Sequence, residues 1–243
     1  MLPSFSLAHS AMASAIEPAF ARAGYRRLYI DLPGTGGSPA GEPRSDKVLE
    51  DVIDTIREQL GDQPFAILGW SYGGFLAAGV ARRVGSQARG LMMVCSAFQI
   101  RPEMRDLSGV LPSDPEPDWL SAVPARWHDH FAQAIGRQTA EVARRVASVL
   151  ERNDATDDSY LSELRADGFV LSDELTPGPR AIPACFIAGR RDRVAGYAGL
   201  FSALDRYDRA DYVVSSEAGH YLPLEEPVLF SATVRNWLQR CRT

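Results

Sequence analysis

One pentapeptide limits the fold of this 243-residue chain more than any other feature of the sequence. Residues 69–73 read Gly-Trp-Ser-Tyr-Gly, with Ser71 at the centre. The apolar run Phe65–Trp70 predicts a buried strand that ends directly before Ser71, and the residues after Ser71 predict a helix. A serine on a strand-to-helix turn, with glycines that permit close backbone approach, is typical of a nucleophile held on a strained turn.

A serine hydroxyl is a weak nucleophile, so the chemistry needs a base and a carboxylate that orients the base. Asp192 follows the predicted strand Ala184–Ala188, and His220 follows the predicted strand Tyr212–Val214. Either residue alone could serve a structural role, as a surface ion-pair partner or a helix cap. Their order along the chain and their placement after strands together predict a Ser71–His220–Asp192 triad.

Short apolar runs alternate with helical stretches, which indicates βα units and a mostly parallel sheet. The predicted strands are Phe5–His9, Arg27–Asp31, Phe65–Trp70, Gly90–Ala97, Ala184–Ala188 and Tyr212–Val214. The predicted helices cover about Ala11–Ala23, Ser45–Leu60, the residues after Ser71, about Tyr197–Leu204, and Pro227–Arg240.

The alternation stops between about Arg101 and Arg180, where the sequence is helical and contains many prolines. This segment has 15 acidic residues against nine arginines, a net charge of about −6. An acidic helical insertion between strands is most simply a cap over one face of the sheet. The predicted division is therefore an α/β core of residues 1–100 and 181–243 with a helical cap of residues 101–180.

Four stretches together carry a resemblance to a known family. They read DLPGTGGS (31–38), GWSYGG (69–74), GRRDRV (189–194) and AGHYLPLEEP (218–227). Over nearly its whole length the chain resembles the α/β-hydrolases that carry a helical cap. The resemblance implies a serine hydrolase that cleaves an ester, thioester or lactone of a small, mostly apolar molecule through an acyl-enzyme. It also implies that Ser71 is the nucleophile, His220 the base and Asp192 the orienting acid.

Two departures from the family pattern shape further expectations. Similar proteins begin with about two more strands, so the sheet is expected to be shortened at its N-terminal side, or the start has been trimmed. A bared sheet edge tends to pair, and we expect it to pair with a second copy as a homodimer or to be covered by the N-terminal residues.

The second departure concerns the oxyanion hole, where the family usually has His-Gly. The corresponding stretch here is His9-Ser10-Ala11-Met12. The resemblance implies that the N–H groups of Tyr72 and Ala11 bind the oxyanion, with Ser10 as the alternative to Ala11. Losing one such donor costs about 10²–10³ in rate, so weak activity is an open alternative.

Four residues are candidates for substrate contact: Trp70, Ser10, Trp127 and Phe131. Trp127 and Phe131 lie one helical turn apart and either form the core of the cap or face the pocket. His128 and His130 point away from each other on a helix, and no further ligand cluster lies nearby, so no metal site is predicted.

Composition excludes several functions. The net charge of −5 argues against a nucleic-acid or anionic-membrane surface, and no apolar run reaches the roughly 18 residues of a membrane span. The DLPGTGGS loop lacks the lysine of a P-loop, so no nucleotide cofactor is predicted. Three widely spaced cysteines fit reduced thiols in a cytoplasmic protein. The expected partner is a small-molecule substrate.

Two other functions remain open from the sequence. The chain could use the same scaffold without hydrolysis, as a lyase, a cyclase or a ligand-binding receptor. Hydrolysis of a carbon–carbon bond in a diketone-type substrate would use the same three residues.

Overall fold

The computed structural model describes residues 1–21 and 23–242, and its centre is a parallel sheet. The strands are β1 (Phe65–Trp70), β2 (Ala88–Val94), β3 (Pro183–Gly189) and β4 (Arg209–Ser215), hydrogen-bonded in the order β1-β2-β3-β4. All three pairings are parallel. Arg22 and Thr243, which fall in the predicted first helix and at the end of the predicted core, lie outside the described residues.

The helices alternate with the strands as the sequence predicts. The described α-helices are α1 (His9–Phe20), α2 (Ser45–Leu60), α3 (Tyr72–Val84), α4 (His128–Ala134), α5 (Ala140–Leu150), α6 (Asp158–Ala166), α7 (Ala198–Phe201), α8 (Leu222–Glu225) and α9 (Pro227–Arg240). Short 3₁₀ helices cover Gly85–Gln87, Pro102–Met104, Ala125–Trp127 and Ser202–Arg206. The bounds of α2 and α9 are those predicted from the sequence.

Successive residues of each strand enter different hydrophobic cores. In β2, Met92 and Val94 belong to the first core, whereas Leu91 and Met93 belong to the second. Because adjacent side chains of a strand point to opposite faces, the sheet is buried on both sides. Burial on both sides explains why β1 and β3 read as nearly unbroken apolar runs rather than as alternating patterns.

A layer of helices closes each core. On one side α1 packs against α9, and the two helices contribute Met12 and Trp237 to the first core. On the other side α2 packs against α3, and they contribute Leu49 and Phe75 to the second core. The architecture is therefore an α/β sandwich of three layers, as the sequence predicts.

The segment 101–180 contains α4, α5 and α6 and no strand. Phe131 and Val146 from this segment belong to the first core, and Leu164 and Leu171 belong to the second. These helices thus pack on the same two cores as the sheet. The division into a core domain and a cap domain stays a prediction.

The N-terminal residues cover the free side of β1. The N–H of Leu2 donates to the carbonyl of Leu68 (2.9 Å), and the N–H of Trp70 donates to the carbonyl of Leu2 (3.0 Å). These bonds place Leu2 in parallel register with β1. Of the two expectations for this sheet edge, covering by N-terminal residues is observed, and the homodimer stays a prediction.

The predicted strand Phe5–His9 is wrong. The chain turns here, because Ser6 has a φ of +63° and the N–H of Leu7 donates to the carbonyl of Ser4 (3.0 Å). The α1 helix then begins at His9. Five residues with a mixed apolar pattern do not distinguish a strand from a turn followed by a helix start.

The predicted strand Arg27–Asp31 does not form, because the segment bonds to a single residue. The N–H of Ile30 donates to the carbonyl of Met1 (3.2 Å), and the Met1 amino group donates to the carbonyl of Leu28 (2.8 Å). Burial lowers the pKa of this amino group to about 5. Two bonds to one residue do not make a ladder, so the segment lies beside the sheet without forming a regular strand.

Candidate active site

Ser71 occupies the turn between β1 and α3. Its backbone lies at φ 55° and ψ −121°, a conformation that is strained for a residue with a side chain. The N–H of Ser71 donates to the carbonyl of Val94 (2.8 Å), and its carbonyl accepts the N–H groups of Gly74 (2.8 Å) and Phe75 (3.2 Å). These three bonds hold the strained turn and fix the direction of the serine side chain.

The two glycines of the pentapeptide are required by close approach of backbone. A Cβ atom on Gly69 would lie 2.0 Å from the carbonyl oxygen of Gly73. A Cβ atom on Gly73 would lie 2.2 Å from the carbonyl oxygen of Leu2. The turn and the N-terminal segment therefore pack together only because both positions lack a side chain.

A chain of hydrogen bonds joins the three side chains predicted to act together. His220 Nε2 lies 2.9 Å from Ser71 Oγ, and His220 Nδ1 lies 2.9 Å from Asp192 Oδ2. The other oxygen of Asp192 accepts the N–H groups of Val194 (2.8 Å) and Ala195 (2.9 Å). A carboxylate that only accepts leaves the proton on Nδ1, so Nε2 is free to accept the serine proton.

The backbone of His220 is held on both sides. Its N–H donates to the carbonyl of Ala134 (2.7 Å), and its carbonyl accepts the indole N–H of Trp70 (3.0 Å). Trp70 is fully buried and does not line the cavity that contains Ser71. The structure therefore places Trp70 beneath the histidine rather than against substrate.

Glu225 anchors the loop that carries His220, a role that was not predicted from the sequence. Its carboxylate accepts backbone N–H groups from Gly136 (2.8 Å), Arg137 (2.8 Å), Gly219 (3.0 Å) and Tyr221 (3.1 Å). Burial raises the pKa of Glu225 to about 7, against the opposing effect of the backbone donors. The sequence feature that could have pointed to Glu225 is its place in the stretch AGHYLPLEEP, five residues after His220.

The N-terminus of α3 leaves one predicted oxyanion donor free. The N–H of Tyr72 donates to no acceptor among the described residues. The first N–H groups of a helix have no partner within the helix, and the helix dipole there favours negative charge. The structure thus brings a free donor of suitable polarity next to Ser71.

The structure does not bring Ala11 or Ser10 to Ser71. Ala11 is fully buried in α1 as part of the first core, and Ser10 Oγ donates to the carbonyl of Arg152 (3.0 Å). His9 Nδ1 lies 2.9 Å from Asp31. The stretch 9–12 departs from its predicted position because the chain turns earlier than expected, at residues 4–7.

Phe5, from the N-terminal segment, lies at the cavity that contains Ser71. It lines the cavity together with Ser71 and Tyr72, and its ring packs edge-on against Tyr72 with a centroid distance of 5.7 Å. The N–H of Phe5 has no hydrogen-bond partner among the described residues. No local sequence pattern marks this residue, because its position depends on the pairing of Leu2 with β1.

A cavity of about 310 Å³ opens beside Ser71. This volume is at the small end of the range for ligand pockets. The lining residues are mostly apolar and are Phe5, Ser71, Tyr72, Cys95, Ser96, Ala97, Ile100, Pro102, Arg105, Arg165, Gly168, Phe169, Val194 and Ala195. Burial raises the pKa of the Cys95 thiol, so this cysteine is not an alternative thiolate nucleophile.

Trp127 and Phe131 do not line this cavity. Their rings lie 5.6 Å apart, and Phe131 is fully buried in the first core, 6.3 Å from the ring of Tyr221. Of the two interpretations of these aromatics, the structure favours a core role.

Two observations bear on metals and membranes. The described residues contain no group of three or more His, Cys, Asp or Glu side chains that could hold a metal ion. Within the same residues, every helix is too short or too polar to cross a bilayer. The absence of a cofactor and the cytoplasmic location stay predictions.

Comparisons with known proteins show the family of the chain. The sequence profile described as "Alpha/beta hydrolase family" matches residues 3–233. A pimeloyl-[acyl-carrier protein] methyl ester esterase of Aeromonas hydrophila is 28% identical over 238 residues, which cover 92% of this chain and 88% of that protein. The enzyme of the same name from Shewanella woodyi is 42% identical over 73 residues, which cover 30% of this chain and only 27% of that protein.

Among solved structures, an alpha/beta superfamily hydrolase from Oenococcus oeni PSU-1 superposes with a TM-score of 0.88. The alignment covers 100% of this chain and 91% of that chain, at 23% sequence identity. At this identity the likeness shows the fold alone.

Proposed function

The chain belongs to the alpha/beta hydrolase family, and we propose that it hydrolyses a carboxylic ester of a small molecule with Ser71 as the nucleophile. The observation that carries the proposal is the hydrogen-bonded series from Ser71 Oγ through His220 to Asp192, beside a cavity. The relatives named as methyl ester esterases support ester hydrolysis over thioester or lactone hydrolysis.

In the first half-reaction, Ser71 Oγ attacks the ester carbonyl carbon while His220 Nε2 takes the hydroxyl proton. The charge on the imidazolium is stabilised by Asp192, 2.9 Å from Nδ1. The tetrahedral intermediate collapses as His220 returns the proton to the leaving alcohol, and the acyl group remains on Ser71.

In the second half-reaction, water enters where the alcohol left. His220 Nε2 removes a proton from this water, which attacks the acyl carbonyl carbon. Collapse of the second intermediate returns the proton to Ser71 Oγ and releases the carboxylic acid. The same residues thus act in reverse order, and the enzyme returns to its starting state.

The oxyanion of both intermediates needs two preorganised donors. We assign the first role to the N–H of Tyr72, as the sequence predicts. We assign the second role to the N–H of Phe5 in place of Ala11, since Phe5 lines the cavity and its N–H has no partner among the described residues. Two free donors beside the nucleophile favour an active enzyme over a weakened one.

The substrate class follows from the cavity. Its lining is mostly apolar, and its volume of about 310 Å³ suits a short acyl group. The relatives' name specifies a methyl ester of pimeloyl-[acyl-carrier protein], which makes methyl esters the first compounds to test.

The proposal is tested with a fluorophosphonate probe followed by peptide mapping, and with a panel of short-chain methyl esters. We expect a single adduct on Ser71 and turnover of at least one ester. Ser71→Ala should lose both. Ser148→Ala is the matched control and should keep both, because Ser148 is exposed, donates to the carbonyl of Arg145 (2.9 Å) and does not line the cavity.

Two results would contradict the proposal. One is full turnover of the best ester by Ser71→Ala. The other is a folded protein that neither labels nor hydrolyses any ester of the panel, which would favour a ligand-binding or non-hydrolytic function.

A further inference from the structure

Two arginines, Arg105 and Arg165, line the cavity beside Ser71. None of the other lining residues is acidic. The wall of an otherwise apolar cavity therefore carries two guanidinium groups and no carboxylate. Arg105 is half-buried and Arg165 is exposed, so both guanidinium groups are accessible to a ligand in the cavity.

Arg105 is held at the cavity wall by two carbonyls. Its Nε donates to Ile100 (2.9 Å) and its Nη1 donates to Val194 (3.0 Å), and both of these residues line the cavity. The side chain is half-buried and lies within 4 Å of no carboxylate among the described residues. Burial, together with the nearby charge of Arg165, lowers the pKa of Arg105.

The acidic groups that face Arg105 do not neutralise it. Asp192 and Glu103 attract it at longer range. Asp192 is committed to His220 and to two backbone N–H groups. Glu103 forms no ion pair among the described residues. Nη2 of Arg105 accordingly remains without a partner there.

Arg165 reaches the cavity from α6. Its guanidinium carbon lies 4.9 Å from the ring centroid of Phe5, and it has no ion-pair or hydrogen-bond partner among the described residues. Two other arginines, one earlier in the segment 101–180 and one in α3, do form ion pairs. Arg101 contacts Glu174 (2.7 Å), and Arg82 contacts Asp173 (3.0 Å). Neither guanidinium group of the cavity wall therefore has a carboxylate partner among the described residues.

We propose that the ester hydrolysed at Ser71 carries an anionic group, which Arg105 and Arg165 bind at the far end of a short apolar acyl chain. Half-esters of dicarboxylic acids are the simplest compounds of this class, and a phosphate or phosphonate at the same position would use the same contacts. The inference rests on the proposed ester hydrolysis and adds the recognition of the acyl end.

The test compares three methyl esters of similar length: monomethyl adipate, the neutral methyl hexanoate, and methyl 5-phosphonopentanoate. We expect kcat/KM for monomethyl adipate to exceed that for methyl hexanoate by about tenfold or more, as for hydrogen bonds to charged groups. The phosphonate ester separates the two anion sources, since whichever anion gives the higher kcat/KM is the one the site prefers.

Arg165→Gln should reduce the ratio of the anionic to the neutral ester about tenfold, mainly through KM. Arg144→Gln is the matched control, because Arg144 is also exposed but lies outside the cavity, and the ratio should not change. Arg105→Lys keeps the positive charge but loses the two hydrogen bonds to the Ile100 and Val194 carbonyls. Its thermal unfolding midpoint measures what these two bonds contribute to stability, and its ester ratio measures what Arg105 contributes to binding the anion. A ratio near one in the wild type, or a ratio unchanged in Arg165→Gln, would overturn the proposal.

Binding to Ser71→Ala keeps this inference separate from the hydrolysis. Calorimetry should show monomethyl adipate binding about tenfold more tightly than methyl hexanoate, and Arg165→Gln in the same background should remove the difference. That result supports the anion site even if no ester is turned over. Equal binding of both esters, with or without turnover, overturns it.

Discussion

The loops that follow the strands and the segment 101–180 contribute different things to this cavity. The loops carry Ser71, Asp192 and His220, each held by backbone hydrogen bonds at the carboxyl edge of the sheet. The segment contributes Arg105 and Arg165. The difference indicates that the proposed chemistry depends on the loops at the strand ends, whereas the proposed selectivity depends on side chains of the segment 101–180.

The largest effect on activity is expected from Asp192→Asn, which changes one of the three residues that the loops contribute. The new amide can still accept the Val194 and Ala195 N–H groups through its oxygen, but it presents an N–H₂ group to His220 Nδ1. The imidazole must then carry its proton on Nε2 and cannot accept the Ser71 proton. We expect kcat to fall by about 10⁴ with little loss of stability.

Steady-state kinetics on the best ester and urea unfolding test this expectation together. A loss of activity explained wholly by unfolding would contradict the orienting role of Asp192.

The next largest effect, on stability, is expected from Phe131→Ala, which changes a residue of the segment 101–180. Phe131 is fully buried in the first core and does not line the cavity. Its loss should lower the free energy of unfolding by about 3–5 kcal/mol, while the folded protein still reacts with fluorophosphonate at Ser71. Phe201→Ala is the control, because Phe201 is 65% exposed and should change stability by about 0.5 kcal/mol or less.

A small stability loss in Phe131→Ala, combined with a loss of labelling in the folded protein, would show that Phe131 acts on the cavity after all.

Glu225 joins the two regions, because its carboxylate accepts the N–H groups of Gly136 and Arg137 from the segment 101–180. Its pKa is raised from 4.5 to about 7 by burial, so between these values the folded state holds a proton that the unfolded state has lost. The stability contributed by this proton is complete below pH 4.5 and is lost as pH rises to about 7.

Urea unfolding of the wild type and Glu225→Gln between pH 5 and pH 8 measures this contribution. The free energy of unfolding of the wild type, relative to the variant, should fall with rising pH by up to about 3 kcal/mol. A difference that stays constant or grows with pH would contradict the assignment.

Much of the fold could be predicted because its signals are local. The strand Phe65–Trp70 and the helices Ser45–Leu60 and Pro227–Arg240 have the predicted bounds, since each has a clear period and a clear start or stop. The strand at Tyr212–Val214 was predicted too short, as β4 extends over Arg209–Ser215. Its polar residues obscure its ends.

Some residues of the candidate site could likewise be predicted from the sequence, and others could not. The order of Ser71, Asp192 and His220 after strands predicted which side chains would meet, because parallel strands bring their carboxyl ends to one edge. Ala11 was assigned because the resemblance matched His9-Ser10 to the family's His-Gly motif, at about the family's distance from Ser71. The chain instead turns at Ser6, and Phe5 lines the cavity with Ser71.

The sequence by itself determined the α/β architecture, the nucleophile turn and the three side chains of the hydrogen-bonded series. Each of these depends on short-range periodicity or on residues at the end of a strand. Only the tertiary structure decided the exposure of Phe5 to the cavity, the anchoring role of Glu225, and the presence of Arg105 and Arg165 in one cavity wall. These depend on contacts between distant segments, and no local pattern records which segments fold against each other.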